Sequence, residues 1–489
     1  MNKSNIPRCM STQHPDNVSM PFFATDSVIG GKDEIIESYY IFSSLECTEQ
    51  MWDSDGKEVD NFVIKKLLSK YSRFFHEKKL WKDIFITLRV PNPFIEKTEA
   101  KLLLETLESI PRSYDIAKLF YGEDITPIFE VILPMASDVS SIDNIYKYYT
   151  DFVVWKQNKT IRDNNVTIAD WIWEFHPKKI NVIPLFEEME YMLDAHNIVE
   201  KYLEDKKDIK HQRVFLAMSD PALNYGMVSG VLLNKIALQR LDKMWKKIWV
   251  EIFPISGMWS APFRWNLKPN TVDSIMEEFP SVQTYTIQSS FKYDNGTKDV
   301  INAIEKINNT PRWLPTKVDE ERAIKIIDKY TKEYQKQILI LAPLINKISS
   351  YIPRRRKRKL HIGLFGYSRS MDEISLPRAI PFTCACYSIW VPPEILALNV
   401  LNKDDILFLN TVFINFGKII KEASRYLNQD SPYLPKNIKE AIKDLYVDID
   451  TDQEHKEVTD CILRLLDTNE LDNLQEKILS AATIRGFLG

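Results

Sequence analysis

The chain has 489 residues, of which 44% are hydrophobic and 27% are charged, so it could hold two or three domains and is ordinary for a globular protein with a large core. Its 64 Lys and Arg residues against 68 Asp and Glu residues give a net charge of −4, which excludes a net basic field that would attract nucleic acid. No apolar stretch reaches the roughly 18 residues of a membrane span, and the N-terminus lacks the apolar core of a signal peptide, so we expect no membrane contact.

The first thirty residues are polar and loop-like, and they contain the run STQHPDN with His14. His14 lies on no apolar face, and Pro15 fixes the backbone beside it. Two interpretations stay open at this point: a surface histidine, or a histidine held on a rigid loop for proton transfer.

Eight short apolar runs predict β-strands, and segments with helical spacing separate most of them. In chain order the runs are Tyr40–Leu45, Trp81–Val90, Ile125–Leu133, Val182–Phe186, Val214–Met218, Trp249–Ile255, Val282–Ile287 and Leu360–Phe365. Strands that alternate with helices in this way predict an α/β fold, a (β/α)8 TIM-type barrel.

The C-terminal part is mostly helical in pattern, with more helix than the outer ring of a barrel needs. We therefore expect many additional α-helices. No repeat or low-complexity linker interrupts the chain, so residues 1–489 should form a single architectural unit. Residues 1–379 would form the barrel with an N-terminal catalytic loop segment, and residues 380–489 a helical layer packed on it.

Two acids follow neighbouring predicted strands. Glu187 follows Val182–Phe186, and Asp220 follows Val214–Met218. Carboxylates at the carboxyl ends of adjacent parallel strands can share one hard cation such as Mg²⁺. The alternative is two solvated loop acids.

Polar residues recur at the other predicted strand exits as well. The set is Glu46, Arg89, Glu130, Glu187, Asp220, Arg264, Gln288 and Arg369, with Arg378 following. Four arginines near two or three acids would suit a small polyanion held with a divalent metal, because Arg binds carboxylate and phosphate through two donors. Each arginine alone is also compatible with a surface charge.

Cysteine and glycine usage narrows the class of protein. The five cysteines are scattered, and the pair Cys384 and Cys386 suits neither a zinc knuckle nor a disulfide. The 13 glycines form no dinucleotide or Walker motif. We expect a reduced, cytoplasmic protein.

Several long motifs resemble the archaeal-type phosphoenolpyruvate carboxylases, and the resemblance runs from Pro7 to Gly489. The motifs are STQHPDN, ATDSVIGGKDE, MWDSDGKEVD, LRVPNP, IPLFEEME, MSDPALNYG, PFR, LFGYSRS and LPRAI. The resemblance implies a (β/α)8 barrel with many added helices, which agrees with the strand pattern.

The resemblance also implies roles for individual residues. His14 matches the family's catalytic histidine, and Arg264 in PFR matches the arginine of its mobile catalytic loop. Arg89 in LRVPNP is a looser match that we also assign to catalysis. The substrate-binding arginines correspond to Arg369 in YSRS and Arg378 in LPRAI.

Glu187 in PLFE and Asp220 in MSDPA match the family's metal-binding acids, which would hold Mg²⁺ or Mn²⁺. The implied reaction adds bicarbonate to phosphoenolpyruvate and gives oxaloacetate and phosphate through carboxyphosphate and an enolate. In that reaction His14 would take the proton of carboxyphosphate. The implied assembly is a homotetramer, with no nucleic acid or membrane partner.

The chain departs from the bacterial and plant enzymes in two places. Ser256 stands where their glycine-rich loop begins with a histidine, so a second histidine role is not supported. The tail reads IRGFLG and lacks the asparagine of their inhibitor site, so we do not extend aspartate inhibition to this chain.

Two other functions stay open on the sequence. One is a Mg²⁺-dependent carbon–carbon lyase of the same barrel type, which needs the paired acids but neither His14 nor four arginines. The other is a non-enzymatic protein that binds RNA or an anionic surface through the run Arg354–Lys359. Because that run precedes the last predicted strand, we expect it at the amino-end face of the barrel, as a solvated helix end or alternatively as an anion or subunit contact.

Overall fold

Eight parallel strands form a closed barrel, and each strand pairs with its neighbours in chain order. The computed structural model describes residues 6–54, 60–161, 165–357, 369–371, 374–428, 431–434, 436–437, 440 and 450–489. The strands are β1 (Cys9–Ser11), β2 (Glu49–Asp53), β3 (Phe85–Arg89), β4 (Glu130–Leu133), β5 (Asn181–Phe186), β6 (His211–Ala217), β7 (Glu251–Gly257) and β8 (Thr284–Ile287). The predicted α/β class and (β/α)8 barrel are confirmed.

Helices surround the barrel and make up most of the described chain after it. In chain order the α-helices are Lys32–Ser43, Val63–Lys70, Ser72–Glu77, Ala100–Tyr121, Val139–Lys147, Ile168–Ile172, Met189–Leu203, Ser219–Tyr225, Met227–Ile248, Val272–Glu278, Ser289–Tyr293, Thr297–Asn309, Glu320–Ser349, Ala379–Ser388, Lys403–Val412, Phe416–Ser424, Gln453–Thr468 and Leu474–Arg485. Within the described ranges, no helix is both long and apolar enough to cross a membrane.

The barrel interior contains its own small apolar cluster, separate from the main core between barrel and helices. Its members are Met10, Met51, Ile132, Ile183, Leu185, Phe215, Ala217 and Ile255. On β5 and β6 these residues recur at every second position, because alternate side chains of a barrel strand point inward. The intervening residues, such as Val182 and Val214, face the helices and belong to the main core.

The amino end of the barrel is filled by charged side chains from the even-numbered strands. Arg213 on β6 donates from Nη1 to Glu49 Oε1 on β2 at 2.7 Å and to Glu130 Oε2 on β4 at 2.9 Å. Its Nη2 donates to Glu49 Oε2 at 2.7 Å and to Thr284 Oγ1 on β8 at 3.1 Å. Four residues from alternate strands thus form one layer, as in other barrels of this type, but here the layer is ionic.

Two predicted strands are wrong or lie outside the described residues. Most of Tyr40–Leu45 belongs to the helix Lys32–Ser43, whose buried face (Ile35, Ser38, Ile41, Phe42) has helical spacing. The run Leu360–Phe365 lies outside the described residues, and the barrel closes without it. The six predicted strands between them each overlap a strand of the barrel.

The strands missing from the prediction are β1 and β2. Their sequences are CMS and EQMWD, and all eight residues are buried. Both are short, and Glu49 in β2 points into the ionic layer, so neither shows an apolar run. β1 is too short to form a run, and in β2 the inward-facing Met51 stands between Glu49 and Asp53, so the apolar signal is interrupted.

Replacing Arg213 with leucine should strongly destabilise the fold. Burial alone would lower the pKa of Arg213, but Glu49 and Glu130 raise it, so the guanidinium is held as a cation. Removing it leaves two buried carboxylates without their counter-charge, which typically costs about 3–5 kcal/mol. Urea unfolding followed by circular dichroism measures the loss.

The matched control is Arg73→Leu, because the Arg73 side chain is 96% exposed in its pair with Glu77. Surface pairs of this kind contribute little, so the control should unfold with the wild-type midpoint. Equal midpoints for Arg213→Leu and the control would show that the ionic layer does not stabilise the barrel.

Candidate active site

A cavity of about 680 Å³ opens at the carboxyl ends of the barrel strands. Its wall includes residues that end or follow successive strands, from Thr12 after β1 to Gln288 after β8. Six of the seven predicted site residues line it: His14, Arg89, Glu187, Asp220, Arg264 and Arg378.

The seventh predicted residue, Arg369, does not end a barrel strand. It begins the short strand β9 (Arg369–Met371), which pairs antiparallel with β10 (Ile374–Leu376) in a separate two-stranded sheet. The expected position at the exit of an eighth strand is therefore wrong, because β8 is Thr284–Ile287 and pairs directly with β1.

His14 is anchored through one ring nitrogen and faces a carboxylate with the other. Its Nδ1 lies 3.1 Å from Thr12 Oγ1 and 3.1 Å from Gln288 Oε1. Its Nε2 lies 3.8 Å from Asp53 Oδ2, and its ring packs against Trp259 with centroids 5.0 Å apart. The side chain keeps 24% exposure, so the histidine is both fixed and accessible from the cavity.

Asp53 is a site residue that the sequence reasoning missed. It ends β2, is almost fully buried, and lies between His14 and Arg89, whose Nη1 is 3.4 Å from Asp53 Oδ2. The available signal was its place in the motif MWDSDGKEVD. Because β2 was not predicted, Asp53 was not recognised as a strand-end residue.

Arg264 is fully buried, yet it contributes to the cavity wall. Its Nε donates to Ser219 Oγ at 2.7 Å, and its Nη1 donates to the main-chain oxygen of Gly489 at 2.9 Å. The guanidinium carbon lies 3.2 Å from the ring centroid of Trp259, which is a cation–π contact. Nη2 has no hydrogen-bond partner among the described residues.

Burial also controls the charges around Arg264. It lowers the pKa of Arg264 to about 9, while the negative charges of Asp16 and Asp220 act in the opposite direction. Burial raises the pKa of Asp16 to about 7, although Asp16 accepts a hydrogen bond from Ser290 N at 2.7 Å. Arg264 is therefore a cation at neutral pH, beside a carboxyl group that titrates near neutrality.

Glu187 and Asp220 lie where the sequence predicted them. Glu187 follows β5, Asp220 is the second residue of the helix after β6, and the two strands are adjacent. Within the described ranges, no group of three or more His, Cys, Asp or Glu side chains is arranged to hold a metal. Two carboxylates fit Mg²⁺, which keeps several water or substrate oxygens among its ligands.

Two other acids from the predicted set do not belong to this site. Glu46 is exposed and precedes β2, at the amino end of the barrel. Glu130 begins β4 and belongs to the ionic layer with Arg213. The two predictions are wrong for different reasons: the run before Glu46 is mostly helix, and Glu130 begins its strand instead of ending it.

The described arginines of the basic run, Arg354–Arg356, do not lie at the amino-end face, contrary to the expectation. Arg354, Arg355 and Arg356 line the cavity. Arg356 is buried and donates to Glu37 at 2.8 Å, so this residue is an internal ion-pair partner rather than a solvated charge. Arg358 and Lys359 lie outside the described residues.

Lys292 is a second residue that the sequence reasoning missed, and no sequence signal pointed to it. It is fully buried, and its Nζ donates to Ser11 Oγ at 2.9 Å and to Thr12 O at 2.8 Å. Burial lowers the pKa of Lys292, while Glu37, 3.6 Å away, raises it. The contact ties the end of β1, and hence the His14 loop, to the helix after β8.

Comparisons with known proteins give one consistent family. The family described as "Phosphoenolpyruvate carboxylase" matches residues 6–489. The chain is 52% identical over 484 residues to the phosphoenolpyruvate carboxylase of Methanothermobacter thermautotrophicus, across 99% of this chain and 100% of the relative. It is 52% identical over 424 residues to that of Pyrococcus furiosus (86% and 89% covered). It is 43% identical over 493 residues to that of Halobacterium salinarum (99% and 100% covered).

Proposed function

The chain belongs to the phosphoenolpyruvate carboxylase family, and from this we propose that it adds bicarbonate to phosphoenolpyruvate, giving oxaloacetate and phosphate. The observation that carries the proposal is the single cavity at the carboxyl end of the barrel. Its wall includes the fixed His14, the predicted acids Glu187 and Asp220, and the predicted arginines Arg89, Arg264 and Arg378. Those are the groups that the reaction needs.

Both substrates are anions, so they repel each other unless the site supplies positive charge. Arg89, Arg264 and Arg378 line the cavity, and each can bind a phosphate or carboxylate through two donors. Asp53 partly offsets Arg89. Arg264 has the strongest case for a direct substrate contact, because its Nη2 has no hydrogen-bond partner among the described residues.

We propose that Glu187 and Asp220 hold Mg²⁺ or Mn²⁺. The support is their position at the ends of adjacent strands on the cavity wall and the preference of these cations for carboxylate oxygen. When bound, the cation would supply positive charge that stabilises the enolate oxygen.

In the first step a bicarbonate oxygen attacks the phosphorus of phosphoenolpyruvate. The bond from phosphorus to the enol oxygen breaks, and its electron pair stays on the enolate. The phosphoryl group is then joined to bicarbonate as carboxyphosphate. The arginines orient the phosphoryl group and reduce the repulsion between the reactants.

In the second step the carboxyl proton of carboxyphosphate passes to His14. The carbon–oxygen bond to phosphate breaks, CO₂ leaves, and His14 returns the proton to the phosphate. The enolate carbon attacks CO₂ and forms oxaloacetate. Atoms and charge balance without another reactant, and His14 ends in its starting state.

The enolate must meet CO₂ before it meets a proton from water. Apolar side chains make up part of the cavity wall, among them Met51, Leu185, Phe215, Met218 and Trp259. Such a wall limits the water beside the reacting carbon. It therefore favours carboxylation over formation of pyruvate.

We also propose a cytoplasmic homotetramer. The free cysteines support a reducing compartment. Exposed aromatic residues in one stretch of chain, Phe152, Trp155, Trp171 and Trp173, support a contact between subunits. Light scattering that gives the mass of one chain for the purified protein would contradict the tetramer.

Replacing Asp220 with asparagine should remove most turnover at dilute Mg²⁺ while the melting temperature stays unchanged. One charge fewer weakens the hold on the cation by at least the roughly 10–100-fold seen when a supporting residue is lost. Calorimetric Mg²⁺ titration and oxaloacetate formation measure the two effects. Asp273→Asn, an exposed acid paired with Lys306, is the control, and wild-type Mg²⁺ affinity in Asp220→Asn would exclude Asp220 as a ligand.

Replacing His14 with asparagine should separate the two steps. Bicarbonate still attacks phosphorus, because the acids and arginines remain, but carboxyphosphate then decomposes without delivering CO₂ to the enolate. The variant should release phosphate and pyruvate in a bicarbonate-dependent reaction. The rate of oxaloacetate formation should fall about 10²–10⁴-fold, which is the usual rate contribution of a positioned proton acceptor.

The experiment measures phosphate, pyruvate and oxaloacetate in parallel, with His76→Asn as the control because His76 is exposed and absent from the cavity wall. An equal loss of phosphate and oxaloacetate in His14→Asn would make His14 a binding residue. Oxaloacetate at the wild-type rate would remove His14 from the mechanism.

A further inference from the structure

The amide of Gln288 can adopt only one orientation. Gln288 follows β8 and is buried. Its Nε2 lies 2.9 Å from the carbonyl oxygen of Met258 and 3.1 Å from Thr286 Oγ1. A carbonyl oxygen accepts and never donates, so the NH₂ group must face Met258. The acceptor oxygen Oε1 therefore faces the other way, toward His14.

This orientation determines which nitrogen of His14 carries a proton. Oε1 of Gln288 lies 3.1 Å from His14 Nδ1. The hydroxyl of Thr12 donates its proton to the same Oε1, so Thr12 Oγ1 offers only a lone pair to Nδ1, 3.1 Å away. Both of these neighbours, which are the described residues in contact with Nδ1, are acceptors. Nδ1 is therefore the donor, and the lone pair of neutral His14 lies on Nε2.

Asp53 faces that lone pair. The separation of 3.8 Å between Asp53 Oδ2 and His14 Nε2 exceeds a hydrogen bond, and a carboxylate attracts no bare lone pair. Once Nε2 takes a proton, the same pair becomes oppositely charged and attractive. Asp53 is buried, so water screens this attraction little.

We infer that Gln288 and Asp53 are positioning residues for His14: Gln288 makes Nε2 the atom that accepts the carboxyphosphate proton, and Asp53 stabilises the imidazolium that forms. The inference rests on the proposed function for the identity of the proton donor. It assigns the acceptor atom and two residues that support it. The proton moves from the carboxyl oxygen of carboxyphosphate to His14 Nε2 and then to phosphate. The protonation of Nδ1 and of Asp53 stays unchanged.

Other charges also face His14 and set the size of any pH effect. Arg89 pairs with Asp53 at 3.4 Å, and Arg264 lies against Trp259, which packs on the His14 ring. Lys292 binds Thr12 O, and Asp16 is two residues along the loop. Among the described residues, three cations and one further acid thus lie near the pair, and Asp53 is the acid whose carboxylate lies 3.8 Å from Nε2.

The first test replaces Gln288 with methionine, which keeps the length but removes both amide groups. Gln212→Met is the control, because Gln212 is also buried in a barrel strand and bonds only to main-chain oxygens. In Gln288→Met the ratio of oxaloacetate to phosphate should fall about 10–100-fold, the usual effect of losing the partner that orients a histidine. The KM values of both substrates should stay at wild-type levels, and the control should keep the wild-type ratio.

The second test replaces Asp53 with asparagine and follows oxaloacetate formation against pH. His14 must be neutral to accept a proton, so the rate rises as pH passes the pKa of His14. Without the negative charge of Asp53, His14 holds its proton less tightly. The rise in rate on the acidic side of the pH–rate profile should therefore move to lower pH. A neighbouring opposite charge shifts a pKa by about 1–3 pH units. We expect a shift of about one pH unit here, because Arg89 partly cancels the charge of Asp53.

The third test reads the tautomer directly by ¹⁵N NMR of histidine-labelled wild-type protein, with His14→Asn identifying the signals. Neutral His14 should show a protonated Nδ1 and a bare Nε2. This measurement does not depend on activity, so it separates failure of the inference from failure of the proposed function. A protonated Nε2 in neutral His14 overturns the inference even where carboxylation is found.

Two kinetic results would also contradict the inference. A raised KM for Gln288→Met with an unchanged product ratio would make Gln288 a substrate-binding residue. An unmoved acidic limb in Asp53→Asn would show that Asp53 does not act on His14. If Gln288→Met fails to fold, the ¹⁵N NMR measurement of the His14 tautomer in the wild-type protein still tests the inference.

Discussion

The pairing of β1 with β8 is the constraint on which the site depends. Only three residues of β1 form the strand, in register Cys9↔Tyr285, Met10↔Thr286 and Ser11↔Ile287. That register places His14, three residues beyond β1, beside Gln288, the first residue beyond β8. Side chains reinforce the short ladder at both ends. Before β8, Arg8 donates to two carbonyl oxygens at 2.7 and 2.9 Å. After β1, Lys292 donates to the main-chain oxygen of Thr12. Closing the barrel between β1 and β8 therefore also brings His14 into contact with Gln288.

A buried arginine lies at each end of the barrel, and the two arginines have opposite purposes. At the amino end Arg213 is surrounded by Glu49, Glu130 and Thr284, so its charge is satisfied internally and stabilises the fold. At the carboxyl end Arg264 is equally buried, but among the described residues its hydrogen bonds go to Ser219 Oγ and Gly489 O instead of to side-chain carboxylates, and its Nη2 has no partner there. A buried cation with an unused donor binds an incoming anion strongly, because little water competes.

The sequence predicted the barrel class, six of its strands and six site residues of the cavity wall, because apolar runs and long family motifs carry that information. It did not predict β1, which has only three residues, or β2, in which Met51 stands between Glu49 and Asp53, and so it missed Asp53 at the end of β2. Glu130 was assigned to the wrong end of its strand, since an ionic layer inside a barrel leaves no mark in a hydrophobic pattern. Gln288 was noticed at a strand exit, but its role depends on the direction of its amide, which only three-dimensional contacts reveal.

The central claim is that this cavity makes bicarbonate attack phosphorus before any carbon–carbon bond forms. Isotope transfer tests it most directly. The purified protein is given unlabelled phosphoenolpyruvate together with bicarbonate that carries ¹⁸O at all three oxygens. The masses of the products are measured by mass spectrometry before the label exchanges with water. The account predicts one ¹⁸O in each phosphate and two in the new carboxyl group of oxaloacetate. Phosphate that forms together with oxaloacetate but carries no ¹⁸O would contradict it.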